Sequence, residues 1–441
     1  MSSLAGETTA DGPVVATSCR VADVSTRAFL AAHAEPGFHW ADPDGLELSG
    51  AGTAASVTAA GGDRFAAVRE WSTGLFADLT HDGPDAARPR LFGGFSFFDA
   101  HTAAGVWQGF PPARFVLPAI QLTSVGDETW LTAIEAGPDA TAASASASLA
   151  DARDAVDSLP AMQAAGPRPG VTDTTPTPGR DAWTAGVQDA VDRIQSGPLR
   201  KVVLATALRA DLAEPATPCA LLERLRQRYP ACFRFLVAPA DGGVFLGATP
   251  ERLASLRGGR VETVALAGSV GRGDSPAADA RLADRLRESD KLRHEQGVVV
   301  DTIARRLEGI GDVAVGDRDV RQLSTIQHLE TPISAAVSAD THVLDVIETL
   351  HPTPAVNGLP PADALATIRD TETFDRGWYA APIGWIDADG DGTFGVGLRS
   401  GVVDDDSVTL FAGNGIVGDS TPDAEWEEVQ LKYRPVLDEL Q

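Results

Sequence analysis

The chain has 441 residues, 43% of them hydrophobic and 22% charged, which is the composition of a globular protein rather than a disordered one. Its net charge of −26 disfavours nucleic-acid binding, because contacts to phosphates need a basic surface. The sequence contains no long apolar run and no signal-peptide pattern, so we expect neither a membrane span nor a secretory signal.

The cysteines are Cys19, Cys219 and Cys232, and their spacing fits neither a zinc motif nor a disulfide framework. We therefore expect buried structural thiols in a protein of the reducing cytoplasm.

Lysine is rare in this chain, since only Lys201, Lys291 and Lys432 are lysines and the other basic residues are arginines. An acidic surface with so little lysine indicates adaptation to high salt, where repulsion between like charges is screened. The remaining lysines are then candidates for chemistry, unless they are remnants without a function. Their positions relative to the motifs decide between these alternatives.

The first third of the chain is predicted to be rich in strands. We expect residues 1–17 to form a flexible tail and residues 18–136 to form the N-terminal part of the fold. Apolar runs at 90–98 and 114–122 predict two buried strands.

A change of composition separates this part from the rest of the chain. Residues 137–180 are dominated by small residues, Pro and Thr, which predicts a connecting segment with a short helix near 149–159. Residues 181–438 then alternate between helical and strand patterns. They begin with a helix that Asp181 can cap and continue with a β-rich run at 201–208. The class is therefore mixed α and β.

A glycine-rich segment followed by a helix forms the C-terminal motif, residues 413–433. The glycines allow a tight backbone whose N–H groups can meet an anion. In the helix that begins at Pro422, the spacing places Glu425, Glu428 and Lys432 on one face. From the helix alone a solvated Glu–Lys face is the simpler interpretation, but the preceding glycines favour an anion or metal site.

A second acidic position lies in the predicted helix at 287–307, which Ser289 can cap. Glu295 lies close to the apolar face of this helix, where a carboxylate must be paired, hydrogen-bonded or bound to a metal. Arg293 or Arg305 is the simpler partner. Together with the carboxylates of the C-terminal helix, Glu295 would suit Mg²⁺, which prefers hard oxygen ligands.

Several weaker signals accompany these motifs. Glu251 follows a strand, Gly268 lies in a turn of small residues, and His328 is a lone histidine that alone would more often be structural. Arg399 follows the return strand of a predicted hairpin. The acidic turn at 387–392 imitates an EF-hand loop but lacks its final glutamate, so we predict a hairpin turn instead.

Taken together, eight segments resemble the motifs of the chorismate-utilising enzymes, in that family's order. They are KVVLA, GATPERL, ALAGS, Ser289–Gln296, QHLETPI, LHPTPAVNGLP, RGWYAAPIGW and AGNGIVGDSTPDAEWEEVQLK. The resemblance implies one large α/β fold (α+β), with two packed β-sheets surrounded by helices. It replaces the two or three domains that length alone suggests.

Within this family the motifs resemble those of isochorismate synthases. A lysine at the place of Lys201 acts there as general base, whereas the aminating relatives differ. The turn around Gly268 lacks the lysine of the aminodeoxychorismate type, and the segment 350–360 has the isochorismate synthase form. One departure is Leu292, where the family usually has aspartate, which puts helix capping in doubt more than activity.

The resemblance implies an Mg²⁺-dependent isomerase that converts chorismate reversibly into isochorismate. Lys201 would deprotonate the water that attacks ring C2, and Glu251 would protonate the departing C4 hydroxyl. Glu295 and Glu428 would bind Mg²⁺, with Glu425 assisting. The other implied residues bind the two carboxylates of the substrate. Tyr379, Arg399 and the N–H of Gly415 would hold the pyruvyl carboxylate. Lys432 and Gly268 would complete the anion site, and His328 would lie near the ring carboxylate.

Three alternatives remain open. A salicylate synthase would also eliminate pyruvate, an aminating synthase would need a glutaminase subunit, and a non-catalytic chorismate-binding subunit would have no turnover. Lys201 argues against the second, and the joint presence of Lys201, Glu251, Glu295 and Glu428 argues against the third. We expect a cytoplasmic monomer without glutaminase, nucleic-acid or membrane partners, whose product feeds menaquinone or catechol siderophore biosynthesis.

Overall fold

The computed structural model describes residues 12–22, 24–32, 37–160, 165–322 and 326–441, and within these not the side chains of residues 269, 291 and 326. Over these ranges, two β-sheets of 13 and 10 strands carry most of the fold. Strands and helices are numbered in chain order.

The larger sheet has the strand order β10-β11-β23-β22-β13-β12-β2-β3-β8-β9-β1-β5, with β19 beside β11. Its strands are β1 (Val14–Val21), β2 (Gly37–Ala41), β3 (Leu46–Ala51), β5 (Leu79–Asp82), β8 (Ile120–Val125), β9 (Glu128–Ala136), β10 (Val171–Thr177), β11 (Lys201–Leu212), β12 (Phe233–Ala238), β13 (Val244–Thr249), β19 (Gly358–Leu359), β22 (Ser400–Asp404) and β23 (Ser407–Ile416).

The smaller sheet has the order β16-β18-β15-β14-β21-β20-β6-β7-β4, with β17 beside β18. Its strands are β4 (Ala55–Ala59), β6 (Arg90–Phe95), β7 (Ala113–Leu117), β14 (Arg252–Arg257), β15 (Arg260–Gly271), β16 (Gly311–Val315), β17 (Asp319–Gln322), β18 (Ile326–Val337), β20 (Pro382–Asp387) and β21 (Gly392–Val396).

The helices described are α1 (Thr26–Ala32), α2 (Arg64–Phe76), α3 (Ala142–Asp157), α4 (Arg180–Ser196), α5 (Pro218–Arg228), α6 (Pro276–Glu288), α7 (Asp290–Leu307), α8 (Val343–Leu350), α9 (Pro361–Thr371) and α10 (Pro422–Leu437). Short 3₁₀ turns lie at Asp85–Ala87 and Gly105–Trp107. None of the helices described is long and apolar enough to cross a membrane.

One hydrophobic core joins the N-terminal and C-terminal parts of the chain. β12 pairs with β2 in the larger sheet, and β20 pairs with β6 in the smaller one, so both parts contribute strands to both sheets. The sheets pack face to face, as the stacked rings of Phe38 and Phe92 show with centroids 5.8 Å apart. The prediction of a single fold with two packed sheets is confirmed.

Three boundaries predicted from the sequence were wrong. Residues 14–17 of the predicted tail belong to β1, which pairs along its length with β9; residues 1–11 lie outside the described part of the chain. The predicted strand at 114–122 is two strands, β7 and β8, because Pro118 interrupts it and the chain passes from one sheet to the other. The proline-rich connecting segment contains β10, an edge strand beside β11.

Helix boundaries followed the sequence more closely, with differences at the ends. Ser289 caps α7 through its hydroxyl, which accepts from the N–H of Leu292, while the two residues before Ser289 end α6. Asp181 does not cap α4, which begins one residue earlier after Gly179. The acidic turn joins β20 to β21 as a hairpin, as predicted. Of the cysteines, Cys232 is buried and the other two are partly buried, and all are free thiols.

Candidate active site

Lys201 is the first residue of β11, which lies between β23 and the two-residue strand β19. Its side chain crosses the face of β23 at Gly415. A Cβ atom placed on Gly415 would lie 2.7 Å from Lys201 Cε and 3.4 Å from Nζ. Glycine is therefore needed at 415 because the lysine side chain occupies the space that any other side chain would take.

The backbone of β23 presents donors on the side away from β11. Val203 is opposite Gly415, but its N–H donates to the carbonyl of Asn357 at 2.8 Å, so this pair is not hydrogen-bonded. In an antiparallel ladder the N–H of Gly415 then points away from β11. Because β22 pairs with β23 only as far as Phe411, this N–H lies beyond the end of the neighbouring strand.

Burial lowers the pKa of Lys201, and the positive charge of Lys432 lowers it further, while the carboxylates of Glu295, Glu251 and Glu428 oppose this shift. A lowered pKa increases the fraction of neutral amine, which is the form that can accept a proton. The same interactions place Lys201 within the electrostatic reach of both predicted metal-binding helices.

Glu251 lies in the short connection between β13 and β14. Its backbone carbonyl accepts a hydrogen bond from the N–H of Val396 at 3.1 Å, which ties the connection to β21. Burial raises the pKa of Glu251 to about 7, against the opposing charge of Lys201. Near neutral pH a large fraction of this carboxyl therefore keeps a proton that it can donate, while a larger fraction of Lys201 is the neutral amine that can accept one.

Lys432 and its neighbours on α10 form a connected polar cluster. Lys432 Nζ donates to Glu428 Oε1 at 2.8 Å, to the carbonyl of Gly413 at 2.9 Å and to the side chain of Asn414. Asn414 in turn donates to Glu425 Oε2 at 3.1 Å. The face predicted on α10 thus lies against the glycine segment rather than standing free in solvent, although the side chain of Glu428 is 51% exposed.

The carboxylates of α10 offer hard oxygen atoms, which is the ligand type that divalent cations prefer. Burial raises the pKa of Glu425, and the negative charge of Glu428 raises it further, a repulsion that a cation between them would relieve. Among the residues described, no three His, Cys, Asp or Glu side chains enclose a metal position.

Arg399 and Tyr379 lie beside this cluster. Arg399 has a φ of 51° at the entry to β22, and its Nη1 donates to the backbone carbonyl of Lys432 at 3.3 Å. Burial lowers the pKa of the guanidinium, so a bound anion would be favoured beside it. Burial also raises the pKa of Tyr379, whose ring stacks on Phe411 at 5.5 Å, and its hydroxyl stays protonated as a donor.

Gly268 and His328 lie on neighbouring strands of the smaller sheet. β15 has a bulge at Gly268, whose φ is 71°, and the next residue pairs with His328 on β18. Burial, together with Arg399 and Lys432, lowers the pKa of His328 to about 3, so the imidazole is neutral.

Leu292 packs beside the same bulge, because a Cβ on Gly268 would lie 3.3 Å from its Cβ. Since Ser289 caps α7, the leucine at this place does not cost the helix its cap.

The predicted site residues are thus linked to one another by hydrogen bonds, strand pairing and mutual effects on their pKa values, and two groups were missed. Glu372 and Arg376 form a buried ion pair in which Glu372 accepts from the N–H of Ala205 at 2.8 Å, and Arg376 donates to the carbonyl of Val203 at 2.7 Å. This pair holds β11 in place beneath Lys201. In the sequence this ion pair is indicated only by an acidic and a basic residue four positions apart. Asn414, the second missed group, lies inside the glycine-rich motif and was overlooked.

The chain is similar to known proteins over nearly its whole length. The sequence model of the chorismate binding enzymes matches residues 3–441. The salicylate biosynthesis isochorismate synthase of Pseudomonas aeruginosa is 37% identical over 412 residues, which cover 92% of this chain and 85% of that protein. The isochorismate synthase MenF of Bacillus subtilis is 34% identical over 360 residues, which cover 80% and 75%.

A solved structure has the same fold. MenF, the menaquinone-specific isochorismate synthase from Escherichia coli, superposes with a TM-score of 0.82 at 26% identity, covering 98% of this chain and 96% of that one.

Proposed function

The chain belongs to the chorismate-binding enzyme family, and we propose that it is an isochorismate synthase, an isomerase that converts chorismate reversibly into isochorismate. One observation carries the proposal. A lysine whose pKa is lowered and a glutamate whose pKa is raised to about 7 lie within electrostatic reach of each other, beside a cluster of anion-binding groups. Pairs of groups whose environments push their pKa values apart are typical of acid–base catalysis.

The proposed reaction uses this pair in opposite roles. Lys201 Nζ takes a proton from a water molecule whose oxygen forms a bond to ring C2. The ring double bonds shift, the C4–O bond breaks, and Glu251 gives its proton to the departing hydroxyl, which leaves as water. In the reverse direction the protonated lysine and the glutamate carboxylate exchange these roles, so both directions use the same side chains.

Two anion-binding groups orient the substrate in this proposal. Arg399, the Tyr379 hydroxyl and the N–H of Gly415 hold the pyruvyl carboxylate. Lys432 and Gly268 complete the anion site, and neutral His328 lies near the ring carboxylate. Fixing both carboxylates places C2 and C4 relative to base and acid, and such orientation lowers the barrier without any new chemistry.

We further propose that Glu295 and Glu428 bind Mg²⁺, with Glu425 assisting. When bound, the ion supplies positive charge for the ring carboxylate and fixes its orientation. The support is the hard-oxygen character of these side chains and the repulsion between Glu425 and Glu428.

Product analysis tests the function directly. We expect incubation with chorismate and Mg²⁺ to give isochorismate in equilibrium with chorismate, as resolved by chromatography. A lactate dehydrogenase-coupled assay without added lyase should detect no pyruvate, because the segment 350–360 has the isochorismate synthase form. Stoichiometric pyruvate would make this protein a salicylate synthase instead, and the absence of any turnover would leave a non-catalytic chorismate-binding protein.

The biological setting is part of the same proposal. We infer a cytoplasmic enzyme, with free cysteines, that needs no glutaminase subunit and acts as a monomer. Its product would enter menaquinone or catechol siderophore biosynthesis, and the genes beside its own would distinguish these.

A further inference from the structure

A second concave surface lies next to the candidate active site. It is a groove of about 390 Å³, within the size range of small-molecule sites. Its walls are α7, through Val298 and Thr302, and the residues 359–361 at the end of β19 and the start of α9. Three arginines, Arg200, Arg305 and Arg306, complete the lining, and we refer to it as the arginine groove.

The arginines of the groove lack carboxylate partners in the part of the chain that the structure describes. Arg200, Arg305 and Arg306 form no ion pair with any carboxylate among the residues described, although the chain has 62 acidic residues. Arg306 is partly buried and donates to the carbonyls of Leu350 and Pro352 at 2.8 and 3.0 Å. A half-buried guanidinium that meets only neutral carbonyls leaves positive charge that an anion can satisfy.

The groove lies on the face of α7 that also carries Glu295. Glu295, Val298 and Thr302 are spaced at i, i+3 and i+7, so they share that face, and Thr302 is about 10 Å along the helix from Glu295. On the other wall, the N–H of Arg200 donates to the carbonyl of Leu359 at 2.8 Å, and Leu359 pairs with Lys201. The groove and the candidate active site (the catalytic chamber) therefore border the same two segments of the fold, α7 and the start of β11.

We propose that the arginine groove is an anion-binding antechamber, in which Arg200 and Arg305 contact a carboxylate of the substrate before it enters the chamber and of the product when it leaves. This inference rests on the proposed function, which makes the substrate a dicarboxylate. A protein with a net charge of −26 repels such a dianion, and a local cluster of arginines at the entrance offsets that repulsion.

The test compares two double variants of the full chain at one fixed ionic strength. R200Q/R305Q removes two charges from the groove. R20Q/R153Q removes two exposed arginines from β1 and α3, at the opposite end of the larger sheet from β11. Both variants shift the net charge from −26 to −28 by the loss of two positive charges, so a general effect of net charge is the same in the two.

We expect R200Q/R305Q to raise the KM for chorismate about tenfold, with kcat within about twofold of wild type, because contacts made on the approach do not act on the bond-breaking step. The control should keep the wild-type KM. A KM for R200Q/R305Q equal to that of the control would overturn the proposal, as would a loss of kcat with an unchanged KM.

Folding and function are separated by two further measurements. Arg306 is left in place because it holds backbone carbonyls, and a thermal melt checks the fold. If the double variant does not fold, R305Q alone carries the test, since Arg305 is exposed and, within the described part of the chain, donates only to the carbonyl of Asp301. Failure of the wild type to convert chorismate would refute the proposed function; an unchanged KM in an active enzyme would refute only the antechamber.

Discussion

Replacement of Gly415 by alanine should displace the Lys201 side chain and so impair its function, although Lys201 itself is not mutated. Gly415 lies in an extended strand, so its backbone accepts alanine. The new Cβ would stand 2.7 Å from Lys201 Cε, whereas carbon atoms in contact are about 3.5 Å apart, so the lysine must move by about 0.8 Å. Misplacement of a catalytic group by such a distance can cost about 10²-fold in rate.

The stability cost should be small, because the atom that moves belongs to a flexible side chain. An off-rotamer lysine costs about 1 kcal/mol, which shifts the melting temperature of a chain of this size by less than about 4 °C. We therefore expect G415A to fold normally and to lose about 10²-fold in kcat. G418A is the matched control, since a Cβ there meets only Ile194 at an ordinary 3.5 Å, and it should behave as wild type.

A double-mutant cycle shows whether the loss acts through the lysine. In a Lys201→Ala background the space above Gly415 is open, so adding G415A should cost nothing further. Wild-type activity of G415A would refute the reasoning about the position of Lys201. A full additional loss in the double variant would show instead that alanine disturbs the neighbouring N–H that we assign to carboxylate binding.

Four other outcomes are expected. Lys201→Ala should keep the fold and chorismate binding but lose about 10²–10⁴-fold in kcat, measured by chromatography, and near-normal turnover would remove the lysine from the mechanism. The pKa of Glu251 is raised from 4.5 to about 7, so its stabilising effect is complete below pH 4.5 and is lost as the pH rises through 7. The forward rate should accordingly fall above pH 7. E251Q should be inactive, but at pH 8 its free energy of unfolding should exceed that of wild type by an amount on the order of 2 kcal/mol, seen as a higher melting temperature. Equal melting temperatures would contradict the buried carboxyl. EDTA should abolish activity and Mg²⁺ restore it, with E295Q and E428Q needing much more Mg²⁺, whereas turnover by fully chelated enzyme would exclude the metal. Because the net charge is −26, the melting temperature should rise from low salt to molar KCl, and a flat series would argue against adaptation to high salt.

Local signals located the elements that carry the candidate site. The cap at Ser289 and the apolar spacing that follows it placed α7, and the proline start of α10 placed its acidic face. The β-rich run from Lys201 became β11. These features depend on residues within one or two helical turns of each other, so they can be predicted from short stretches of the sequence. The assignment of chemistry to those residues came from the family's motifs and not from periodicity.

Pairing across the sheets was decided only by the tertiary structure. Residues 14–17 were predicted to be part of a flexible tail, and they form a strand because β9 pairs with them. The Pro/Thr-rich linker becomes the edge strand β10 for the same reason, beside β11. Strand formation depends on a partner far along the chain, which no local window can supply.

The same limit applies to the environment of each candidate group. Burial raises the pKa of Glu251, and burial lowers that of Lys201, yet both residues look ordinary in the sequence. The ion pair of Glu372 and Arg376 supports β11 from α9 and the loop after it, more than 160 residues away from Val203. The sequence thus determined which residues were available and which helices and strands would carry them. Their desolvation, contacts and charge balance arise only when distant segments pack together, because each of these depends on neighbouring residues from several segments and not on one segment alone.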